Sequence, residues 1–461
     1  MSLVPVAALV ATLAQTLIPI GGASQAQPTR PNIVLVVTDD QRVGTLRFMP
    51  NVRDVLGRRG ISFTHAYVVN PTCCPSRASI LTGNYSHTTN VYLNDPGQPF
   101  GGFPAFDDSA TIATMLRGAG YRTGLFGKYL NGYHTEYIPP GWDRWFATFG
   151  NGGYTDYVAS SDGDLIRFGH DPADYGTDVL RNEVVSFIRS TPPSTPLFAY
   201  VAPHAPHKPA IPAPGDEHLF ASLTPFRPRS YDEEDVSDKP AHMQSVRRLD
   251  RAAAAKIDRF RTAQIRALQA VDRAVADIVD ELEANGRLSN TLIVLTSDNG
   301  MLWGEHRLNG KGVIYEEAIR VPLLLRYDAL TDRGPADDRL VLNIDLAPTF
   351  AEAAGIPPPQ ADGRSLLPLL RTPGAEWRDA FLIEHLRAGG HERLVPSFCA
   401  VHTNQYVLAR YGTGEQELYD LDRDPLQLVN RTGGVRYADI QATLLGELQS
   451  LCDPPPPGYA L

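Results

Sequence analysis

The chain has 461 residues, 42 of them Lys or Arg and 52 Asp or Glu, for a formal net charge of −10. That length, with 43% hydrophobic residues, allows one large core and a smaller lobe, so disorder is not the default. The acidic balance excludes a broad electrostatic footprint for nucleic acid, so an anionic ligand must be met by a local cluster of positive side chains.

At the N-terminus, Leu3 to Ile20 is apolar, is broken by Pro5, Gln15 and Pro19, and leads to the small-residue run Ala23-Ser24-Gln25-Ala26. This predicts a signal peptide over residues 1–26 and a protein that is secreted, extracellular or periplasmic. The positive start of such a leader is missing, because the first basic residue is Arg30: either the start lies upstream or the leader is atypical. No later stretch is long and apolar enough to span a bilayer.

Short β-branched and aliphatic runs then alternate with helical patterns, which predicts an α/β fold with a largely parallel sheet. Strands are expected at 32–38, 122–126, 197–201 and 292–297, each largely apolar, as in a sheet covered on both faces. Residues 212–256, rich in Pro, Asp and Arg, are expected to form a loop or lid over the site, and 150–163 a second selectivity loop. A helix follows through Ile265, Leu268, Val271, Val275, Ile278, Val279 and Leu282, with Gly286 placed to end it.

From about residue 372, alternating runs at 381–383, 400–401, 405–410 and 417–421 predict a small antiparallel subdomain, followed by a helix near 440–451 and a disordered tail at 454–457. The expected division is a leader at 1–26, a catalytic domain at 27–371 and the antiparallel subdomain at 372–461. Four cysteines are too few for a disulfide scaffold, and no C-x-x-C spacing suggests zinc. Cys399 and Cys452 either bridge or stay as two buried thiols.

Polar residues suited to chemistry fall directly after the predicted strands: Asp39 and Asp40, Lys128, His204, and Asp298 with Asn299. In open α/β sheets ligands bind at the carboxyl ends of strands, so these side chains should converge. Adjacent carboxylates raise each other's pKa unless a cation compensates. Three aspartates and one amide oxygen suit a hard divalent cation, calcium before magnesium. Cys73 stands just before the helix start marked by Pro75, where the dipole favours an anion; from the residues alone it is a reactive thiol, half of a strained vicinal disulfide with Cys74, or a buried cysteine.

The run Cys73-x-Pro75-Ser76-Arg77 ending in Thr82-Gly83 resembles the signature of the sulfatase family, in which the cysteine is converted to formylglycine. The resemblance extends through Asp39-Asp40, Phe126-Gly127-Lys128, Pro203-His204-x-Pro206-His207, Ser297-Asp298-Asn299-Gly300, Gly304-Glu305-His306, Lys311 and the closing Glu417-Leu418-Tyr419-Asp420. Gly127-Lys128-Tyr129-Leu130-Asn131, Gly141-Trp142-Asp143 and residues 403–430 look closest to the N-acetylglucosamine-6-sulfatase branch.

That resemblance implies an alkaline-phosphatase-like α/β sandwich, with one calcium ion held by Asp39, Asp40, Asp298, Asn299 and the side chain at position 73. It implies maturation by a formylglycine-generating enzyme and hydrolysis of a glycan or small-molecule sulfate ester, with one hydroxyl of the hydrated aldehyde attacking sulfur and the other expelling sulfate. Lys128, Lys311 and His204 would surround the sulfate, one of them or His306 would protonate the leaving alcohol, and Arg77 would orient the modified residue. One departure stands out: many members carry a histidine two residues after the lysine of the Gly-Lys motif, where this chain has Leu130, and His306 or His134 could compensate. The competing readings are a phosphonate or phosphate ester hydrolase with the same cage, and a protein that grips sulfated glycans without cutting them.

Overall fold

A computed structural model describes residue 2 and residues 30–149, 153–331, 336–372, 374–387 and 394–459. Apart from residue 2, the predicted leader lies outside the described residues. In chain order the strands are β1 (Asn32–Thr38), β2 (Ile61–Ser62), β3 (Ala66–Tyr67), β4 (Arg122–Lys128), β5 (Arg144–Thr148), β6 (Val158–Ser161), β7 (Asp164–Arg167), β8 (Leu197–Ala202), β9 (Thr291–Ser297), β10 (Leu323–Tyr327), β11 (Val341–Leu342), β12 (Ala380–His385), β13 (Phe398–Thr403), β14 (Tyr406–Tyr411) and β15 (Gln416–Asp420). The central sheet has nine strands in the order β2-β10-β9-β1-β8-β4-β5-β6-β7. Its middle, from β9 to β5, is parallel, and both edges are antiparallel.

The fully apolar reading of β1 follows from its place at the centre. Ile33, Leu35 and Val37 point into one core with Ala78, Leu116 and Phe350, while Val34 and Val36 point into the other with Val184, Leu268 and Val271. Successive side chains of a strand face opposite ways, so a strand with helices on both faces must be apolar at every position. The predicted helix is longer than its stripe: it runs Arg251–Ala284, with the Asp250 carboxylate accepting from the Ala253 amide at 2.7 Å. The loop expected to reach residue 256 therefore ends earlier, because the alanines at 252–255 favour helix once Asp250 caps it.

Strands β12 to β15 form the expected antiparallel sheet. One face, with Leu382, Val401 and Leu418, packs on Leu444 and Leu448 of the Ala438–Leu451 helix; the other, with Phe381, Ile383, Phe398 and Tyr411, packs on Val313, Ile314 and Tyr315. This second contact sets the C-terminal sheet against the segment that carries Lys311. Cys399 and Cys452 are bridged across 53 positions, which resolves the choice the sequence left open. The tail expected to be disordered packs back instead, with Tyr459 buried and its hydroxyl donating to the Arg410 carbonyl at 2.8 Å. Among the described residues no helix is long and apolar enough to cross a membrane.

Candidate active site

Register brings the first two motifs together. Strands β1 and β9 pair in parallel with Thr38 opposite Ser297, so the residues that follow, Asp39-Asp40 and Asp298-Asn299, leave the same sheet edge side by side. The Asp298 amide donates to the Thr38 carbonyl at 3.0 Å and the Asp40 amide to Asp298 Oδ1 at 3.1 Å. Strand β8 flanks β1 on the other side and delivers His204; β4 lies beyond it and ends on Lys128. Gly127 makes that close: its φ is 109°, and a Cβ there would meet the Ala202 carbonyl oxygen at 2.1 Å.

The Cys73–Thr82 helix enters this edge with Thr72 extended before it, Cys73 as its first residue, and a left-handed Gly83 (φ 81°) ending it. Every side chain from Cys73 to Leu81 is buried, Arg77 included. Arg77 Nε donates to Asp298 Oδ2 at 2.8 Å and an Nη to the Lys128 carbonyl at 3.2 Å, and its guanidinium lies 3.9 Å from Asp39. Lys128 Nζ donates to Asp39 Oδ2 at 2.6 Å. Cys73 Sγ is 3.4 Å from Asp39 Oδ1. Lys311 Nζ touches Asp40 Oδ1, lies 2.6 Å from Cys73 Sγ and donates to Asn299 Oδ1 at 3.1 Å.

Three buried carboxylates thus face the three cations Lys128, Lys311 and Arg77. Burial would raise Asp39, but Lys128, His207, His204 and Arg77 together hold it well below the usual carboxylate range. Asp40 is likewise held low against burial, chiefly by Lys311. Asp298 goes the other way: burial and then the neighbouring Asp39 charge push its carboxyl up. Burial also pushes the Cys73 thiol upward and the Cys74 thiol up to about 12, so neither is poised to act as a thiolate near neutrality.

His204 places Nδ1 3.4 Å from Asp39 Oδ2 and Nε2 3.0 Å from the Lys208 carbonyl. A carbonyl only accepts, so Nε2 carries the proton and Nδ1 is the position free to exchange one. Burial lowers its pKa below the usual histidine value. His207, read from sequence only as part of a shared motif, also reaches the cluster: its Nε2 is 3.7 Å from Asp40, and one ligand atom each from Asp39, Asp40, Cys73 and His207 lie within 4.8 Å of one another. Its spacing three residues after His204, just beyond β8, is the signal that could have found it.

Two expected residues lie elsewhere. His306 is buried with Nδ1 2.7 Å from Glu233 and its ring 3.8 Å from that of Tyr315, and it makes none of the contacts above. His134 is exposed, its Nδ1 2.5 Å from the Gly132 carbonyl. Leu130 is packed in the core with Ala78 and Trp145.

The strand-end cluster is built from motif residues of one family, and comparison with known proteins agrees. The model of the family described as Sulfatase matches residues 31–356, and one described as N-sulphoglucosamine sulphohydrolase, C-terminal, matches residues 304–453. The chain is similar to an extracellular sulfatase SULF-1 homolog of Drosophila melanogaster, 39% identical over 374 residues that cover 78% of this chain and 34% of that protein. It is similar to the N-acetylglucosamine-6-sulfatase of Homo sapiens, 34% identical over 376 residues that cover 78% of this chain and 68% of that one. The matched stretch therefore spans about a third of the fly relative and about two thirds of the human one. A solved protein in complex with its substrate D-glucosamine-2-N,6-O-disulfate superposes with a TM-score of 0.80 and 25% identity over 92% of this chain and 98% of that chain. On its matching family model and on the shared motifs that build its buried cluster, this chain belongs to the sulfatase family.

Proposed function

We propose that this protein hydrolyses sulfate esters of an amino sugar, such as N-acetylglucosamine 6-sulfate, through a formylglycine made from Cys73 and one calcium ion. The observation that carries this reading is the meeting of Cys73 with Asp39, Lys128 and Lys311 in one buried cluster at the carboxyl ends of the central strands. Relatives named for sulfatase activity, one of them for N-acetylglucosamine 6-sulfate, support the substrate class.

Asp39, Asp40, Asp298, Asn299 and the side chain at 73 would hold the ion, with His207 at its margin. The donors are mainly oxygens, and Lys311 Nζ contacts Asp40, Asn299 and Cys73 together, so these side chains already converge on one cationic position. When bound, calcium supplies Lewis-acid polarisation of the sulfate oxygens. The hydrated aldehyde supplies one hydroxyl to attack sulfur and a second to release sulfate, which a plain alcohol lacks.

The chain's own residues do the rest. Lys128 and Lys311 set positive charge beside residue 73, where negative charge builds on the sulfate oxygens. His204, tied by Nε2 to the Lys208 carbonyl, would act as the acid in its imidazolium form, with the second proton on Nδ1 beside the Asp39 carboxylate and passed from there to the leaving alcohol. His306 is left out of this set because its ring is committed to Glu233 and Tyr315. Cys73 is 1% exposed, so a formylglycine-generating enzyme would act on the chain before it folds. Export to an oxidising compartment fits the Cys399–Cys452 bridge.

The test is release of inorganic sulfate from N-acetylglucosamine 6-sulfate by protein produced together with a formylglycine-generating enzyme, with an aryl phosphonate in parallel. We expect sulfate release to exceed phosphonate turnover, and a calcium chelator to lower it by about a hundredfold or more, with recovery on adding Ca2+. Faster phosphonate turnover, or full activity in the chelator, contradicts the reading.

A further inference from the structure

Two histidines are not used by the chemistry above, and one of them borders the segments that carry the reacting groups. His385 ends β12 in the C-terminal sheet, is 3% exposed, and has no hydrogen-bond partner at either ring nitrogen. A Cβ on Gly312 would lie 3.8 Å from His385 Cε1 and 3.8 Å from Thr72 Cγ2. Gly312 follows Lys311, and Thr72 precedes Cys73, so the imidazole borders both segments that carry the reacting groups. His242, on the short helix Ala241–Gln244 within the 212–256 segment, likewise leaves both nitrogens buried and unpartnered.

A row of rings links the two. His385 lies 5.2 Å from Phe398, Phe398 5.5 Å from Tyr411, and Tyr411 4.9 Å from His242, all between ring centroids. These ring contacts, stacked at Phe398 and tilted at Tyr411, hold the imidazoles, while the nitrogens stay unsatisfied. A buried polar atom without a protein partner is costly, and a water, an ion or a ligand group meets it.

We propose that His385 and His242 form a recognition wall that hydrogen-bonds an uncharged hydroxyl or amide group on the sugar whose sulfate is removed. This rests on the substrate reading above. Burial, with His242 adding to it, lowers His385 to about 4, and burial lowers His242 as well, so both rings are neutral near pH 7. A neutral imidazole offers one donor and one acceptor, which matches a hydroxyl or an acetamido group. A second sulfate on the sugar would call for a cation there instead. The pairing also gives the 212–256 segment and the C-terminal sheet a joint role in selectivity.

The experiment compares kcat/KM of His385→Phe, His385→Gln and His242→Phe with the unsubstituted protein on N-acetylglucosamine 6-sulfate and on an aryl sulfate that lacks the sugar. Phenylalanine keeps an aromatic ring in each place and removes the hydrogen bonds. On the sugar we expect His385→Phe to lose about thirtyfold or more, mainly through KM, and His242→Phe to lose in the same direction. On the aryl sulfate the loss should stay within about threefold, and His385→Gln should recover part of the sugar activity. Equal losses on both substrates, or none on either, in folded variants overturn the proposal. If His385→Phe does not fold, His242→Phe on the half-buried side decides by the same ratio. An unsubstituted protein that cleaves the aryl sulfate but no sugar sulfate overturns the substrate reading and this proposal together, whereas sugar turnover with equal losses overturns this proposal alone.

Discussion

Replacing Cys73 by alanine is expected to abolish sulfate release, a fall of about ten-thousandfold or more, because on the proposed function it removes the covalent nucleophile and so the step itself. The loss should be chemical and not structural. Cys73 contributes one small buried side chain at the first turn of a helix whose remaining contacts are intact, so the melting temperature should move little. Serine at the same position should be equally inactive, since its alcohol lacks the second hydroxyl that expels sulfate. Cys74→Ala is the control. Cys74 is as buried as Cys73, but its backbone amide, not its thiol, holds Asn94, at 2.8 Å, and it does not stand two residues before Pro75. It should keep activity within about fivefold, at the modest cost of a small core truncation. Parallel losses in both variants would remove Cys73 from its special position.

The second large effect is expected at Arg77. Its side chain and that of Asp298 are both 0% exposed and 2.8 Å apart. Truncation leaves Asp298 buried without its partner, in a place where burial and Asp39 already push its carboxyl up. Breaking a buried pair from one side costs about 3–5 kcal/mol, so Arg77→Met should lower stability by that order, read as the midpoint of denaturant unfolding. Activity should fall by a hundredfold or so as well, because Asp298 and the Lys128 carbonyl lose their common anchor. Lysine should not rescue it: one ammonium cannot bond Asp298 through Nε and the Lys128 carbonyl through an Nη at once. Arg58→Ala, at a side chain 72% exposed, should shift stability by about 0.5 kcal/mol or less. A stable, active Arg77→Met would show that the cluster does not depend on this guanidinium.

Much of this architecture was legible because buried parallel strands leave a strong mark. Strands β1, β4, β8 and β9 read as largely apolar runs, and the residues at or just past their ends are the ones that meet. The antiparallel edges β6, β7 and β10 were missed: they are short, and Asp164–Arg167 is exposed along its whole length, so no apolar period marks it. The N-terminal half of the long helix was hidden by charged residues around its alanines, and the Asp250 cap shows only in the structure.

Within the site, the sequence could name the donors but not the distances. Lys311 illustrates this: no local pattern shows that its ammonium lies 2.6 Å from Cys73, a contact made across 238 positions. His306 lies apart from the cluster for the converse reason. It follows a family motif in sequence, but its ring turns to Glu233, which lies 73 positions earlier in the 212–256 segment whose path no periodicity predicts. His385 and His242 were invisible for the same cause, since lone histidines on a strand end and a short helix carry no local signal until the C-terminal sheet docks on the segment bearing Lys311.

The central claim is that residue 73 acts as a formylglycine, and mass analysis of the peptide carrying Cys73 tests it most directly. The protein should be isolated from its native host or from cells that supply a formylglycine-generating enzyme. We predict a peptide whose Cβ at position 73 has lost its thiol sulfur and become an aldehyde carbon, that reacts with a hydrazide probe, and whose fraction in the preparation scales with sulfatase activity. A preparation that hydrolyses sulfate esters while position 73 remains entirely unmodified cysteine would contradict the account.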